Sequence, residues 1–291
     1  MKQKIATIAS YNIEHLMVPE HRIAFVDWNE SASNTVVCMH GLISNSRDFD
    51  YLASKLLSDF RVISIDMPGR GDSDWLEDKS LYQYPVYIAD ILALLKSLNI
   101  SEVDWIGTSM GGVAGMSLAA DYPNMIRSLV LNDIGPEIPG KALAKMRKYI
   151  GMSPTFPDFA TAKRHLQMIY KNFGVVDDEH WDHLVNHTTY IDENQKYKLK
   201  YDPQISETFT VNPENPEDII FWDLWDKIHC PTLLIHGTQS DILLQSTVDK
   251  MAKRHNMDIY KMHNVGHAPA LMDNEEIDHI YNWLSDASYR K

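Results

Sequence analysis

The sequence predicts an α/β fold with a mostly parallel central sheet, helices on both faces and one helical insertion. The first observation is a series of short, continuous apolar runs, which are typical of strands buried on both faces. These runs lie at residues 36–39, 62–65, 103–106, 129–131 and 232–235. The second is that segments between the runs carry apolar residues at helical spacing. The third is that strand-like runs disappear between residues 135 and 227.

Each remaining core element is predicted from its own periodicity. Residues 21–28 alternate between apolar and polar side chains, which indicates a strand of an edge hairpin, and residues 258–262 resemble a short strand. Helices are predicted at residues 49–57, 86–98, 112–120 and 275–284.

The region without strand-like runs is predicted to be a helical cap at residues 135–227. It divides the core into residues 1–134 and 228–291. Its helix-like pieces lie at residues 141–150, 159–173, 178–187 and 216–225. The cap would emerge at the carboxyl edge of the sheet and cover a pocket there. Several of its aromatic and Met side chains are candidates for lining that pocket, although packing is the commoner role for each. They are Met146, Met152, Phe156, Met168, Tyr170, Phe173, Trp181 and Trp222.

Ser109 is the candidate nucleophile because it lies between an apolar strand and a helix in the pentapeptide Gly107-Thr108-Ser109-Met110-Gly111. That layout is typical of a nucleophile elbow. Glycines without a Cβ allow the sharp turn that such a serine needs. Because the next helix begins directly after Ser109, its unpaired N–H groups would face developing negative charge.

A base and an acid are predicted from the later part of the chain. His267 follows a predicted strand in Gly266-His267-Ala268-Pro269 and is the candidate general base. Asp241 lies just beyond the strand that begins near residue 232, and it is the candidate acid that orients His267. A helix-cap role for Asp241 stays open beside this one. Asp133, also at a strand end, is the competing acid, ranked lower because it could hold its Gly-Pro turn.

Two backbone N–H groups are predicted to form an oxyanion hole. Met110 directly follows the candidate nucleophile, and Leu42 follows the strand-ending pair His40-Gly41. Such donors stabilise charge that exists only in the transition state. His40 itself is expected to brace its loop through hydrogen bonds.

Five motifs resemble those of the α/β-hydrolase superfamily, in its cap-bearing branch of esterase-like and carbon–carbon-bond-hydrolase-like enzymes. They are His40-Gly41-Leu42, the loop at residues 66–74, the elbow at residues 107–112, the Asp241 loop and Gly266-His267. In that family the catalytic residues follow in the order Ser, Asp, His, as they do here. The resemblance implies a serine-based hydrolytic activity. It treats the loop at residues 66–74 as structural.

Composition narrows the classes of partner. The chain has 291 residues and a net charge of −13, which argues against a nucleic-acid-binding protein. No apolar stretch is long enough for a signal peptide or a membrane span, so a cytoplasmic protein without membrane association is expected. Cys38 and Cys230 are predicted to be buried hydrophobes. No residue spacing is typical of a metal site, and neither a metal nor a cofactor is predicted. The oligomeric state is not predicted.

Three functions follow from these residues, each with a small-molecule substrate. The leading one is hydrolysis of a small or medium carboxylic ester through an acyl-enzyme on Ser109. The same residues would also serve carbon–carbon bond hydrolysis, lactone opening, acyl transfer or perhydrolysis. A ligand receptor on the same fold with inactive residues is the third, because a fold alone does not determine function.

Overall fold

The central sheet confirms the predicted fold class. The computed structural model of the protein describes residues 1–208, 212, 214–254 and 256–286. Its eight-stranded sheet has the spatial order β1-β2-β4-β3-β5-β6-β7-β8. The first two pairs of neighbours, β1–β2 and β2–β4, are antiparallel, and every later pair is parallel. In chain order the strands are β1 (Lys2–Ile8), β2 (His21–Trp28), β3 (Asn34–Met39), β4 (Phe60–Ile65), β5 (Val103–Thr108), β6 (Ile126–Asn132), β7 (Thr232–Gly237) and β8 (Met257–Met262).

Helices cover both faces of this sheet. On one face α1 packs with α9, and on the other α2 packs with α3. No described helix is both long and apolar enough to cross a lipid bilayer. The helices are α1 (Asp50–Leu56), α2 (Tyr84–Ser97), α3 (Met110–Asp121), α4 (Gly140–Ile150), α5 (Phe159–Ile169), α6 (Asp178–Thr188), α7 (Trp222–Trp225), α8 (Gln245–Met251) and α9 (Asn274–Ser285).

The alternation of side chains along buried strands explains why they carry continuous apolar runs. In β3, Val37 and Met39 belong to the apolar cluster on the α2–α3 side, whereas Val36 and Cys38 belong to the cluster on the α1–α9 side. Each successive residue therefore has an apolar helix face to cover it. Strands β5 and β6 lie in the middle of the sheet, and because they are parallel neighbours, their carboxyl ends lie side by side.

The inserted segment, residues 135–227, contains helices as expected but also five short strands. The expectation that strands vanish in this segment is therefore wrong. Two of these strands pair with each other, and three form a small sheet; they are Glu137–Ile138, Thr155–Phe156, Thr189–Ile191, Tyr197–Leu199 and Ile219–Ile220. The helix predicted at 216–225 is reduced to α7, because the pairing of residues 219–220 with 137–138 comes first. Residues 209–211 and 213 of the segment lie outside the described residues.

The first strand and α8 are missing from the sequence prediction. Strand β1 carries Lys and Gln on a largely exposed edge, so its apolar pattern is weak. A short antiparallel pair at Tyr11–Ile13 and Leu16–Val18 is also missing from the prediction, because three-residue strands carry little periodicity.

Candidate active site

Ser109 lies at a sharp turn between β5 and α3. Its backbone is left-handed, with φ 50° and ψ −109°, which costs a non-glycine residue about 1–3 kcal/mol. Its N–H donates to the carbonyl oxygen of Asn132 at 3.2 Å, and α3 begins at Met110. A Cβ at Gly107 would overlap the carbonyl group of Gly111, so the turn requires glycine there. The strand–serine–helix turn that the sequence predicts is present.

His267 connects Ser109 to a buried carboxylate. Ser109 Oγ lies 2.9 Å from His267 Nε2, and His267 Nδ1 lies 2.9 Å from Asp133 Oδ2. Because an ionised carboxylate only accepts hydrogen bonds, Nδ1 carries the proton and donates it to Asp133. Nε2 is then left to accept from the Ser109 hydroxyl. The Asp133 side chain is fully buried, and that of His267 is 12% exposed.

Asp241, the acid predicted from the sequence, does not contact His267, so that expectation is wrong. Its side chain is 51% exposed and pairs with Lys145 Nζ at 2.7 Å. The alternative that Asp241 caps a helix is also wrong, because α8 begins only at Gln245. Asp133 occupies the position beside the imidazole that was assigned to Asp241.

Asp133 is held by groups at the end of β7. Directly after β6 it adopts a left-handed backbone, with φ 54°. Its Oδ1 accepts from the backbone N–H of Gly237 at 2.9 Å, and its Oδ2 accepts from Ser240 Oγ at 2.5 Å. These donors belong to the neighbouring strand β7 and to the loop that follows it, not to the Gly-Pro turn. With His267 they give the carboxylate three hydrogen bonds and a fixed orientation.

The inserted segment holds the loop that carries His267. The backbone N–H of Gly266 donates to the carbonyl oxygen of Asn172 at 2.6 Å, and that of Ala270 donates to the carbonyl oxygen of Phe173 at 2.9 Å. These bonds bracket the histidine on both sides. Movement of the segment would therefore change the position of the imidazole.

His40 orients the peptide bond between Gly41 and Leu42. The N–H of Met67 donates to His40 Nε2 at 3.0 Å, so the ring proton is on Nδ1 and is donated to the Gly41 carbonyl oxygen at 2.6 Å. In a trans peptide the N–H points opposite to the C=O, so the Leu42 N–H points away from His40. A Cβ at Gly41 would lie 3.9 Å from Ser109 Cβ, so this turn borders the serine. The expectation that His40 braces its loop is confirmed.

Burial should make His40 a source of acid sensitivity. It lowers the pKa of His40 from 6.5 to about 3, because the charged imidazole loses its hydration and faces the Arg70 charge. As the pH falls, His40 in the unfolded chain therefore takes up a proton at a higher pH than His40 in the folded protein. The free energy of unfolding should decrease by about 1 kcal/mol per pH unit below pH 6.5 through this group. Denaturant titrations at pH 7, 6 and 5 should show a shallower decrease in His40→Gln than in the wild type. The same replacement at exposed His263 should leave the slope unchanged; an equal slope in His40→Gln would refute this role.

Two positioning residues were missed in the sequence analysis. Arg70 is fully buried, and its Nε donates to the carbonyl oxygen of Leu42 at 2.8 Å while its Nη2 lies 3.6 Å from Met110 Sδ. Asn132 Nδ2 donates to the carbonyl oxygen of Pro269 at 2.8 Å and so ties the His267 loop to β6. The sequence feature that could have identified Arg70 is its position in a glycine-rich loop. Nothing in the sequence distinguished Asn132.

Two cavities meet at Ser109. The first contains about 820 Å³ of empty space, part of it open to solvent, and His267 also lines it. The second contains about 990 Å³ of empty space, again part of it open to solvent, and extends towards α2. Leu42 and Met146 line both cavities, so they lie at the boundary between the two cavities.

The inserted segment contributes to both cavity walls. Of its eight aromatic and Met candidates, Met146, Tyr170 and Phe173 line the first cavity, and the other five line neither cavity. Trp181 and Phe156 belong instead to an apolar cluster within the segment. To the second cavity the segment contributes Ile138 and Phe221, and Tyr84, Tyr87 and Val113 from α2 and α3 also line it.

Two groups of possible metal ligands occur elsewhere in the described part of the chain. In each group the ligand atoms lie within 4.8 Å of one another, and the groups are Asp50, His183 and His187, and Asp177, His180 and Asp273. Arg47 already binds the Asp50 carboxylate, so its cation competes there. None of these residues lines the two cavities beside Ser109.

Comparison with known proteins gives matches over nearly the whole chain. The sequence profile of a family described as alpha/beta hydrolase fold matches residues 34–271. The 3-hydroxybutyrate-oligomer hydrolase of Cupriavidus necator is 37% identical over 267 residues, which cover 88% of this chain and 90% of that protein. A crystal structure of a Rickettsia typhi protein is 40% identical, with a TM-score of 0.93 over 98% of this chain and 99% of that one. An alpha/beta hydrolase from Novosphingobium aromaticivorans is 33% identical, with a TM-score of 0.86 over 97% and 98%.

Proposed function

Because this chain belongs to the alpha/beta hydrolase fold family, we propose that it is a serine hydrolase that cleaves a carboxylic ester through an acyl-enzyme on Ser109. The observation that carries the proposal is the chain of two 2.9 Å contacts from Ser109 Oγ through His267 to Asp133. A serine hydroxyl is a weak nucleophile until a base removes its proton. These contacts supply the base and a carboxylate that fixes its tautomer.

In acylation, His267 Nε2 takes the proton as Ser109 Oγ attacks the ester carbonyl carbon. The imidazolium that forms is stabilised by Asp133, which keeps its own negative charge. His267 then returns the proton to the alcohol oxygen as the carbon–oxygen bond breaks. Water enters, His267 takes its proton, and attack on the acyl-enzyme releases the acid and restores Ser109.

The negative charge on the carbonyl oxygen would be met by the N–H groups of Leu42 and Met110. Met110 is the first residue of α3, whose N–H group has no partner within the helix. The Leu42 N–H belongs to the peptide that His40 orients through Gly41. Removing one such donor typically costs about 10²–10³ in rate. Arg70 contacts both residues and would hold their two N–H groups in a fixed relative position.

The substrate class that we infer is a short ester with two sizeable arms. Ser109 borders both cavities, so each could take the chain on one side of the scissile bond. The Cupriavidus necator relative is named for hydrolysing 3-hydroxybutyrate oligomers, which are esters with an arm on either side of each bond. That likeness favours ester hydrolysis over carbon–carbon cleavage or an inactive receptor for this chain.

A common acyl-enzyme can be tested by partitioning between water and methanol. Ethyl, phenyl and 4-nitrophenyl butyrate should give the same ratio of methyl butyrate to butyric acid in methanol–water mixtures, because all three leave the same butyryl group on Ser109. Product ratios measured by gas chromatography check this. A ratio that changes with the leaving group would mean that water attacks the substrate directly and would overturn the proposed route.

A further inference from the structure

The first cavity contains one acidic side chain. Of the described residues that line it, Asp48 alone is acidic, and most of the others are apolar. Among the described residues that line the second cavity, none is charged. The two arms of a bound ester would therefore meet walls of different chemistry.

Asp48 is held in place without a cation. Ser44 Oγ, four residues earlier in the loop, donates a hydrogen bond to Asp48 Oδ2, and both residues line the cavity. The adjacent Arg47 is turned to Asp50, with Nε 2.9 and 2.8 Å from the two carboxylate oxygens. Among the described residues, the neighbouring charges that shift the pKa of Asp48 are those of Asp50 and Asp66, and both are negative.

The surroundings leave this carboxyl only partly ionised near neutral pH. Burial, together with the charges of Asp50 and Asp66, raises the pKa of Asp48 to about 7, although the Ser44 hydrogen bond opposes this rise. Asp48 in turn adds to the rise that burial causes in the pKa of Tyr170, which lines the same cavity. Ser44 and Asp48, joined by their hydrogen bond, thus form a polar corner in a mainly apolar cavity.

We propose that the Asp48 carboxyl, held by Ser44, accepts a hydrogen bond from a hydroxyl group on the ester arm that occupies the first cavity. The proposal rests on the ester hydrolysis proposed above and narrows its substrates to hydroxylated esters. An acceptor in the cavity wall that loses its water on substrate binding needs a donor in return, and the substrate hydroxyl supplies one.

A hydroxyl fits this corner better than a charged group. A carboxylate on the substrate would be repelled by Asp48, Asp50 and Asp66. An ammonium group would lose its hydration in an apolar cavity for a partner that carries only part of a negative charge. A hydroxyl has a smaller desolvation penalty than either ion, and it can donate to the carboxyl.

The test compares 4-nitrophenyl 3-hydroxybutyrate with 4-nitrophenyl butyrate, which differ only in the hydroxyl. The ratio of their kcat/KM values should be about tenfold higher in the wild type than in Asp48→Leu, because a hydrogen bond to an ionisable group is lost. Butyrate hydrolysis should persist in that variant. Ser44→Ala, which keeps the carboxyl but loosens it, should give an intermediate ratio. Ile150→Val, an apolar replacement in the same wall, should leave the ratio at the wild-type value.

An equal ratio in the wild type, Asp48→Leu and Ser44→Ala would overturn the hydroxyl site, and so would a preference for 4-nitrophenyl 3-aminobutyrate that Asp48→Leu removes. Binding of the ethyl esters to Ser109→Ala gives a second readout without turnover. There the hydroxylated ester should bind about tenfold more tightly, and Asp48→Leu added to Ser109→Ala should remove the difference. Equal affinities for the two esters would refute the site. Undiminished hydrolysis by Ser109→Ala would instead refute the proposed function, and the kcat/KM ratios of the wild type and Asp48→Leu would still report on the hydroxyl site.

Discussion

Replacing Asp133 by Asn should lower kcat for ester hydrolysis by about 10⁴, whereas Asp241→Asn should change it less than about threefold. An amide at Asp133 would donate to His267 Nδ1 and force the proton onto Nε2, which could then no longer accept from Ser109. Asp241 lies in an exposed ion pair with Lys145, which contributes little to stability or position. Steady-state rates of the purified variants at one pH check the difference.

Asp104→Asn provides the matched control for burial. Asp104 is a buried aspartate like Asp133, but it lies within β5 and its carboxylate accepts from Arg127 and Ser128. Its replacement should lower the melting temperature and leave kcat close to the wild-type value. If Asp241→Asn lost more activity than Asp133→Asn in folded protein, the assignment of the acid would be wrong.

Replacing Ser109 or His267 by Ala should each lower kcat by about 10⁶, and the double variant should lose no more than either single one. The hydroxyl and the imidazole act on one proton, so removing either abolishes the same step. Ser117→Ala is the matched control, because Ser117 lies in α3 and its Oγ donates to the carbonyl oxygen of Val113. Its kcat should stay near the wild-type value. Losses that multiply in the double variant would show that the two side chains act in separate steps.

The fold and two of the three central residues are predictable because their signals are local. Glycines around Ser109 and the apolar strand before it belong to one short segment, and His267 directly precedes a turn after a strand. Buried strands carry continuous apolar runs whatever their neighbours are. The edge strand β1 lacks that signal because much of its surface is exposed.

The acid depended on a property that is not local. Asp133 and Asp241 both follow strands, and both satisfy the chain order Ser, Asp, His. Strand register separates them: Thr108 pairs with Asn132 across β5 and β6, so the next residue of each strand is Ser109 and Asp133, side by side. A single sequence does not display register, and it does not show that Asp133 adopts a left-handed backbone that turns its carboxylate towards His267.

If its hydrogen-bonded histidine activates Ser109, a fluorophosphonate reagent should react with this serine. Intact mass spectrometry followed by peptide mapping should find one phosphonyl adduct per chain, located on Ser109, with labelling slowed strongly by Asp133→Asn and little by Asp241→Asn. Wild-type protein that stays unlabelled, or an adduct on another residue that persists in Ser109→Ala, would contradict the account.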